Sequence, residues 1–159
     1  SDGTHYFFTS LIQAPGAHAQ LFLFTSAGLR EPWRLHPASP LSRDARFARN
    51  AGPLIEDGAG LVRPSQDTTL WYGRQMHFHR ITKLDSKEYR EHRIGTRSPN
   101  FVSSLVGTHT YAQSPHWEAV DGLFTRGSNA VGSAQRTVRP FSLPLTLSRA
   151  RATSSGSGR

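Results

Sequence analysis

Two Asp-Gly pairs 55 residues apart open matching stretches of this chain: DGTHYFFTS (2–10) and DGAGLVRPS (57–65) align without a gap. LFLFTS (21–26) is matched in position by MHFHRIT (76–82), and Trp33 and Tyr89 lie 31 and 32 residues after their own Asp-Gly. A third pair, Asp121-Gly122, follows 64 residues after the second, between Val120 and Leu123-Phe124. The runs between these marks are aromatic-rich or β-branched and are bounded by Gly, Pro and Asp, so they read as strands and turns. Each unit becomes strand, Asp-Gly turn, strand, loop, strand, loop, outer strand. A four-stranded antiparallel unit recurring at about 50 residues is the pattern of a propeller blade. A β-sandwich would give as many short strands without this internal phase. The expected fold class is therefore all-β, a partial propeller of about two to three blades. By this phase the first blade lacks its innermost strand and the last lacks its outer ones. Residues 1–124 then form an incomplete propeller, a fragment of a larger one or a truncated product whose tail replaces the missing blades.

Composition agrees and narrows the function. The 159 residues include 14 Gly, 10 Pro and no Cys, which suits a turn-rich β domain without disulfides or thiolate metal sites and leaves the redox compartment open. No run approaches the ~20 apolar residues of a membrane span, so none is expected. The first residues carry a turn signal, not a basic-then-apolar leader; the parent protein could carry a leader upstream. The net charge of +8 invites a nucleic-acid reading, but it is unevenly placed. Residues 1–122 hold 13 Lys/Arg against all 11 Asp/Glu, whereas 123–159 hold 6 Arg and no acid. The basicity belongs to a Ser/Gly/Arg-rich segment, 125–159, whose composition predicts a disordered tail ending in linker-like Ser-Gly repeats. Nucleic acid is thus a secondary reading, carried by the tail alone.

The stretch Asp44–Gly73 concentrates the polar chemistry and reads as one β-hairpin with charged ends. Strand periodicity puts Asp44 and Arg46 on one face, where the pair either holds a sugar hydroxyl or anion or simply orders a strand start. Pro64 cannot donate to a ladder, so the backbone is expected to leave the sheet there and aim Arg63, Gln66 and Asp67 outward. The alternative is a turn with Asp67 as a local Asx cap. Arg49, Tyr72 and His109 complete the expected ligand-binding set. Glu91 and Glu118 are possible acids for glycoside chemistry, with nothing local to single out either. His77 and His79, at i and i+2, share a strand face. They are either a metal edge, with His5 or His109 added, or hydrogen-bonded packing. No cofactor is expected. Trp33, Trp71, Tyr72 and Trp117 either stack on sugars or pack between sheets.

The order of these motifs resembles one family. Pro32-Trp33, His36-Pro37, Asp44/Arg46/Arg49, Ala51-Gly52, Asp57-Gly58, Arg63-Pro64, Gln66-Asp67, Tyr72-Gly73, Tyr89-Arg90-Glu91, Gly107–Thr110 and Asp121-Gly122 follow the pattern of the propeller-like N-terminal domain of glucosamine inositolphosphorylceramide transferases and their bacterial relatives. Those domains are similar to the five-bladed propellers of glycoside hydrolase family 43. Asn50 stands where the family usually has proline, and Ser65 where it has alanine. The resemblance implies carbohydrate metabolism, a neighbouring transferase domain in the parent protein, and a carbohydrate, nucleotide-sugar or glycolipid ligand. It implies no settled catalytic assignment; by analogy with family-43 hydrolases, Asp44, Asp67 and Glu91 are the carboxylate candidates. The leading expectation is a non-catalytic, sugar-binding accessory module; a carboxylate-based glycoside enzyme fragment is the alternative.

Overall fold

The computed structural model describes residues 3–12, 14 and 18–125. The tail expectation and the turns at Asp2 and Pro15-Gly16 involve residues outside these. Among the described residues all regular structure is antiparallel β, apart from one short 3-10 turn at Pro99–Phe101. β1 (His5–Leu11), β2 (Gln20–Ser26) and β3 (Arg34–Leu35) form a three-stranded meander. β4 (Arg49–Asn50), β5 (Ile55–Glu56), β6 (Leu61–Asp67), β7 (Gln75–Leu84) and β8 (Tyr89–Arg97) form the central sheet, with β4 and β5 sharing one edge of β6. β9 (Leu105–Gly107) pairs with β12 (Leu123–Phe124), and β10 (Tyr111–Gln113) with β11 (Glu118–Val120).

The central sheet is the expected four-stranded unit with its inner strand broken in two. Asp57 lies in the turn joining β5 to β6, where its carboxylate accepts from Ala59 N–H and pairs with both terminal nitrogens of Arg80 on β7. The break at 51–54 has a chemical cause in Pro64. Ala51 N–H donates to Pro64 O at 3.0 Å, but proline has no N–H to return the bond. The free Ala51 carbonyl instead accepts from Tyr111 N–H at 2.6 Å, and the Tyr111 carbonyl occupies the space a Cβ on Gly52 would need. The expectation that the chain leaves the sheet at Pro64 is corrected. β6 runs unbroken through it, paired to Phe78 on β7, and it is the partner strand that leaves.

A second correction concerns the repeat. Ser10 faces Leu21 across β1–β2, whereas Met76 faces Gln66 across β6–β7. If Leu21 corresponds to Met76, Ser10 corresponds to Gln66, one place off the gapless alignment. The shift lies in the connections, since eight residues (12–19) join β1 to β2 and seven (68–74) join β6 to β7. A one-residue shift moves every side chain to the other face, so Tyr6, Phe8 and Ser10 correspond to Val62, Pro64 and Gln66. With that shift the packing becomes regular. The N-terminal sheet turns Leu21, Leu23 and Phe8 toward one face of the central sheet: Phe8 meets the Tyr89 ring at 5.6 Å and its carbonyl takes Asn50 Nδ2 at 3.2 Å. The central sheet turns its corresponding face, with Val62, Met76 and Phe78, onto Tyr111 and Val120 of β10–β11. Each unit offers the same face to the next. Asp121-Gly122, expected to open another hairpin, instead joins two strands with different partners.

Candidate functional site

The face of the central sheet beneath the N-terminal sheet is a buried polar network. Arg63 is 1% exposed and its guanidinium is fully engaged. Nε and one Nη bind the two oxygens of Glu91 at 2.9 and 2.6 Å, and the rest reaches Asn50 Oδ1 and Phe47 O, each at 3.2 Å. Tyr89 O–H also donates to Glu91 at 2.5 Å. Burial alone would raise the Glu91 pKa, but the Arg63 guanidinium and the Tyr89 hydroxyl hold it below the usual value. Burial likewise raises the Tyr89 phenol. His79 Nε2 meets Ser65 Oγ at 3.0 Å and His77 Nδ1 meets Thr96 Oγ1 at 2.8 Å, with the Phe47 ring edge-on to both imidazoles. Burial pushes both histidines toward the neutral form, His79 to about 4. These two are hydrogen-bonded packing. Among the described residues, no group of three or more His, Asp or Glu side chains is arranged to hold a metal ion.

Asp67 closes this network at the end of β6. One carboxylate oxygen caps Thr69 N–H at 3.0 Å and Thr69 O–H at 2.6 Å, and the other accepts Gln75 Nε2 at 3.0 Å. Burial would raise its pKa; the Thr69 and Gln75 bonds lower it on balance. Asp44 and Arg46 do not lie on a strand. Residues 44–48 form a turn in which Phe47 N–H and Ala48 N–H donate to Asp44 O, and the Asp44 side chain caps Arg46 N–H. Their exposed ion pair, at 2.5 Å, lowers the Asp44 pKa. A short polar side chain followed by a turn competes with the strand that periodicity favoured.

The remaining expected residues meet at the rim of the central sheet, on the face opposite the network. Arg49 pairs across from Gln66, and its guanidinium lies 5.2 Å from the Tyr72 ring centre. The His109 imidazole also packs against Tyr72, ring centres 4.8 Å apart and tilted by 60°. Tyr72 is 54% exposed, and Trp71 beside it is also exposed. Gly73, at φ 74°, makes the approach: a Cβ there would stand 2.8 Å from His109 Cδ2, and its carbonyl accepts Thr108 N–H at 2.7 Å. Asp121 anchors the loop. One oxygen accepts both His109 and Thr110 N–H, at 2.8 and 2.7 Å, and the other meets His109 Nδ1 at 2.6 Å. Nδ1 held this way leaves Nε2 as the ring's outward nitrogen. Among the described residues Arg49 has no carboxylate partner, whereas Arg46, Arg63, Arg74 and Arg80 all have one. Gln66 Nε2 donates to Asn50 O, while its Oε1 and the Thr108 hydroxyl are buried without partners among the described residues.

The eight expected ligand-binding residues therefore divide. Arg49, Tyr72 and His109 come together and can present an aromatic plane flanked by a cation and an imidazole. Arg63 and Asp67 are consumed inside, Gln66 is buried beside the rim, and Asp44 and Arg46 pair with each other. Sequence reasoning missed Asp121 as the His109 partner. The signal was present in the third Asp-Gly, which was read only as a turn mark.

An all-antiparallel β protein with units stacked in one direction and an aromatic-cationic rim is what fold and site define. Residues over 57% of this chain are 34% identical to glucosamine inositolphosphorylceramide transferase 1 of Oryza sativa subsp. japonica, across 94 residues. The protein of the same name from subsp. indica matches equally, at 34% over 94 residues. Over that stretch the chains are related, and this chain spans 13% of the rice proteins' length. No family model matches the chain, and no solved structure matches it. No helix among the described residues is long and apolar enough to cross a membrane.

Proposed function

We propose that this chain is the sugar-binding part of a propeller-type accessory module in a glycosyltransferase-type protein, and that it holds a carbohydrate, nucleotide-sugar or glycolipid without catalysing transfer. The observation that carries the reading is the exposed Tyr72 ring, in contact with both Arg49 and the Asp121-anchored His109. An exposed ring beside donors is the arrangement that stacks on a sugar face while fixing its hydroxyls. The carboxylates that glycoside chemistry would need are committed elsewhere: Glu91 to Arg63 and Tyr89, Asp67 to Thr69 and Gln75. Inverting hydrolysis needs two carboxyl groups free to serve a water and a leaving group. The propeller reading is supported by sheets that offer the same face forward, and the glycoconjugate setting by the partial identity to a transferase-named protein.

The test is a titration of the whole chain against a panel of mono- and oligosaccharides, nucleotide-sugars and glycolipid vesicles, followed by NMR or calorimetry. Tyr72→Ala and Arg49→Gln are expected to weaken the leading ligand at least about tenfold, a cost of ~1.4 kcal/mol, while Asp44→Asn leaves it unchanged. Binding that survives both rim changes, or turnover of any glycoside abolished by Asp67→Asn, would overturn the reading.

A further inference from the structure

The connection between β6 and β7 (68–74) is tied down at its base and bare at its tip. Thr68 N–H and O–H both donate to Ala45 O, at 3.1 and 3.0 Å. Thr69 is held by the Asp67 carboxylate, Arg74 N–H donates to Asp67 O at 3.2 Å, and Gly73 O accepts from Thr108 N–H. Between these anchors stand three consecutive large apolar side chains, Leu70, Trp71 and Tyr72; Leu70 is 67% exposed and Trp71 46%. Fixing a loop so that it shows Leu and Trp to water is unfavourable in itself, and exposed apolar groups of this kind mark a contact with something outside the chain. Leu123, also exposed, adjoins the same spot: a Cβ on Gly107 would stand 2.6 Å from Gly73 O and 3.4 Å from Leu123 Cβ. Three arginines collar the base. Arg46 follows the Ala45 anchor and pairs with Asp44, Arg74 ends the loop and pairs with Asp67, and Arg49 lies over the Tyr72 ring with no carboxylate among the described residues.

We propose that this loop docks the chain on an anionic lipid bilayer, Leu70 and Trp71 entering the interface with the arginines at headgroup level. Two features choose a bilayer over a protein partner. The first is residue type: Trp and Tyr settle at the boundary between acyl chains and headgroups, Leu enters the acyl region, and Arg lies alongside lipid phosphates. The second is charge. Residues 126–159 hold six Arg and no Asp or Glu. They follow directly on β12, whose Leu123 adjoins the loop, so the most basic part of the chain begins at the same end as the apolar tip. A shallow apolar insertion and a polybasic segment are each weak anchors, and together they give stable attachment. The docking goes beyond the rim site and does not require it. Where Tyr72 also holds a sugar, a bilayer at this end brings glycolipid headgroups to the ring.

The whole chain is expected to cosediment with vesicles of phosphatidylcholine containing about a third phosphatidylserine, less with phosphatidylcholine alone, and less again in high salt. Brominated acyl chains should quench Trp71 while Trp33 and Trp117 still emit. Leu70→Ser/Trp71→Ser is expected to lower the partition constant at least about tenfold, because two inserted apolar side chains are lost. Both are exposed, so circular dichroism should be unchanged. Trp71→Phe keeps an apolar ring; it should bind within about threefold of the unaltered chain yet lose the quenching. Absence of cosedimentation with either vesicle would overturn the proposal. So would equal cosedimentation of the double Ser variant, which would leave the arginine-rich segment as the adherent part, and so would quenching that persists in Trp71→Phe. Self-association without lipid that the double Ser variant abolishes would mark the tip as a contact between copies, and refutes the bilayer equally.

Discussion

Removing the Glu91 carboxylate should test whether the buried network is structural. In Glu91→Ala the Arg63 guanidinium keeps only Asn50 Oδ1 and Phe47 O as acceptors and remains 1% exposed. An uncompensated buried cation of this kind costs roughly 3–5 kcal/mol. Domains of this size are stable by about 5–15 kcal/mol, so the loss is a large fraction of the whole. Urea unfolding followed by Trp fluorescence reads it directly. With an m-value of about 2 kcal/mol/M, the midpoint should fall by roughly 2 M. Arg63→Met should cost a comparable amount, because it leaves the Glu91 carboxylate with the Tyr89 hydroxyl and a neutral His79, its Nδ1 3.7 Å away, in place of a cation. The double variant Arg63→Met/Glu91→Leu removes both charges and fills the space, and it should lie within about 2 kcal/mol of the unaltered chain. The two single costs would then fail to add, with a coupling of several kcal/mol. Additive costs, or a Glu91→Ala cost below ~1 kcal/mol, would refute the network as drawn and reopen Glu91 as a free carboxylate.

Acid should destabilise the chain before its carboxylates protonate. The folded pKa of His79 is lowered from 6.5 to about 4, so the unfolded state binds this proton more readily. Stability is therefore intact above about pH 6.5 and falls as the pH drops toward 4, by on the order of 3 kcal/mol in all. His77 acts in the same direction, and His79→Gln should flatten the profile in thermal unfolding between pH 7 and 4. Gly73→Ala should cost about 1–3 kcal/mol through its positive φ and its collision with His109. It should also broaden the His109 ring resonances, and an unchanged His109 spectrum would count against the built rim.

Much of the fold was legible because strand alternation and Asp-Gly turns are local signals. The order of long strands β1, β2, β6, β7 and β8 follows from them. What escaped was set by single backbone groups. Pro64 looked like a strand breaker, yet its missing N–H acts across the ladder, freeing the Ala51 carbonyl for Tyr111 and breaking the opposite strand instead. Asp44 looked like a strand residue because periodicity ignores that an Asx side chain can satisfy Arg46 N–H locally. The site divided for a related reason. Side-chain chemistry picked out polar residues but could not say which face of β6 each would take.

That choice of face rests on one residue in a connection. The β6–β7 connection is one residue shorter than the β1–β2 connection, whereas gapless alignment pairs Phe8 with Arg63 and Ser10 with Ser65. Were that register real, the N-terminal and central sheets would meet through corresponding faces, and a stack built on such a contact would close as a symmetric pair. With the observed register, Phe8 corresponds to Pro64 and the contact is forward-facing, the kind that repeats. The same shift makes Arg63, Ser65, Asp67, His77 and His79 the rear face of the central sheet, where a neighbour already covers them. It gives Arg49 and Gln66 the forward face, and with it the open rim. A polar residue on β6 is therefore network or rim according to its parity in the strand, and the length of the β6–β7 connection sets that parity against β7.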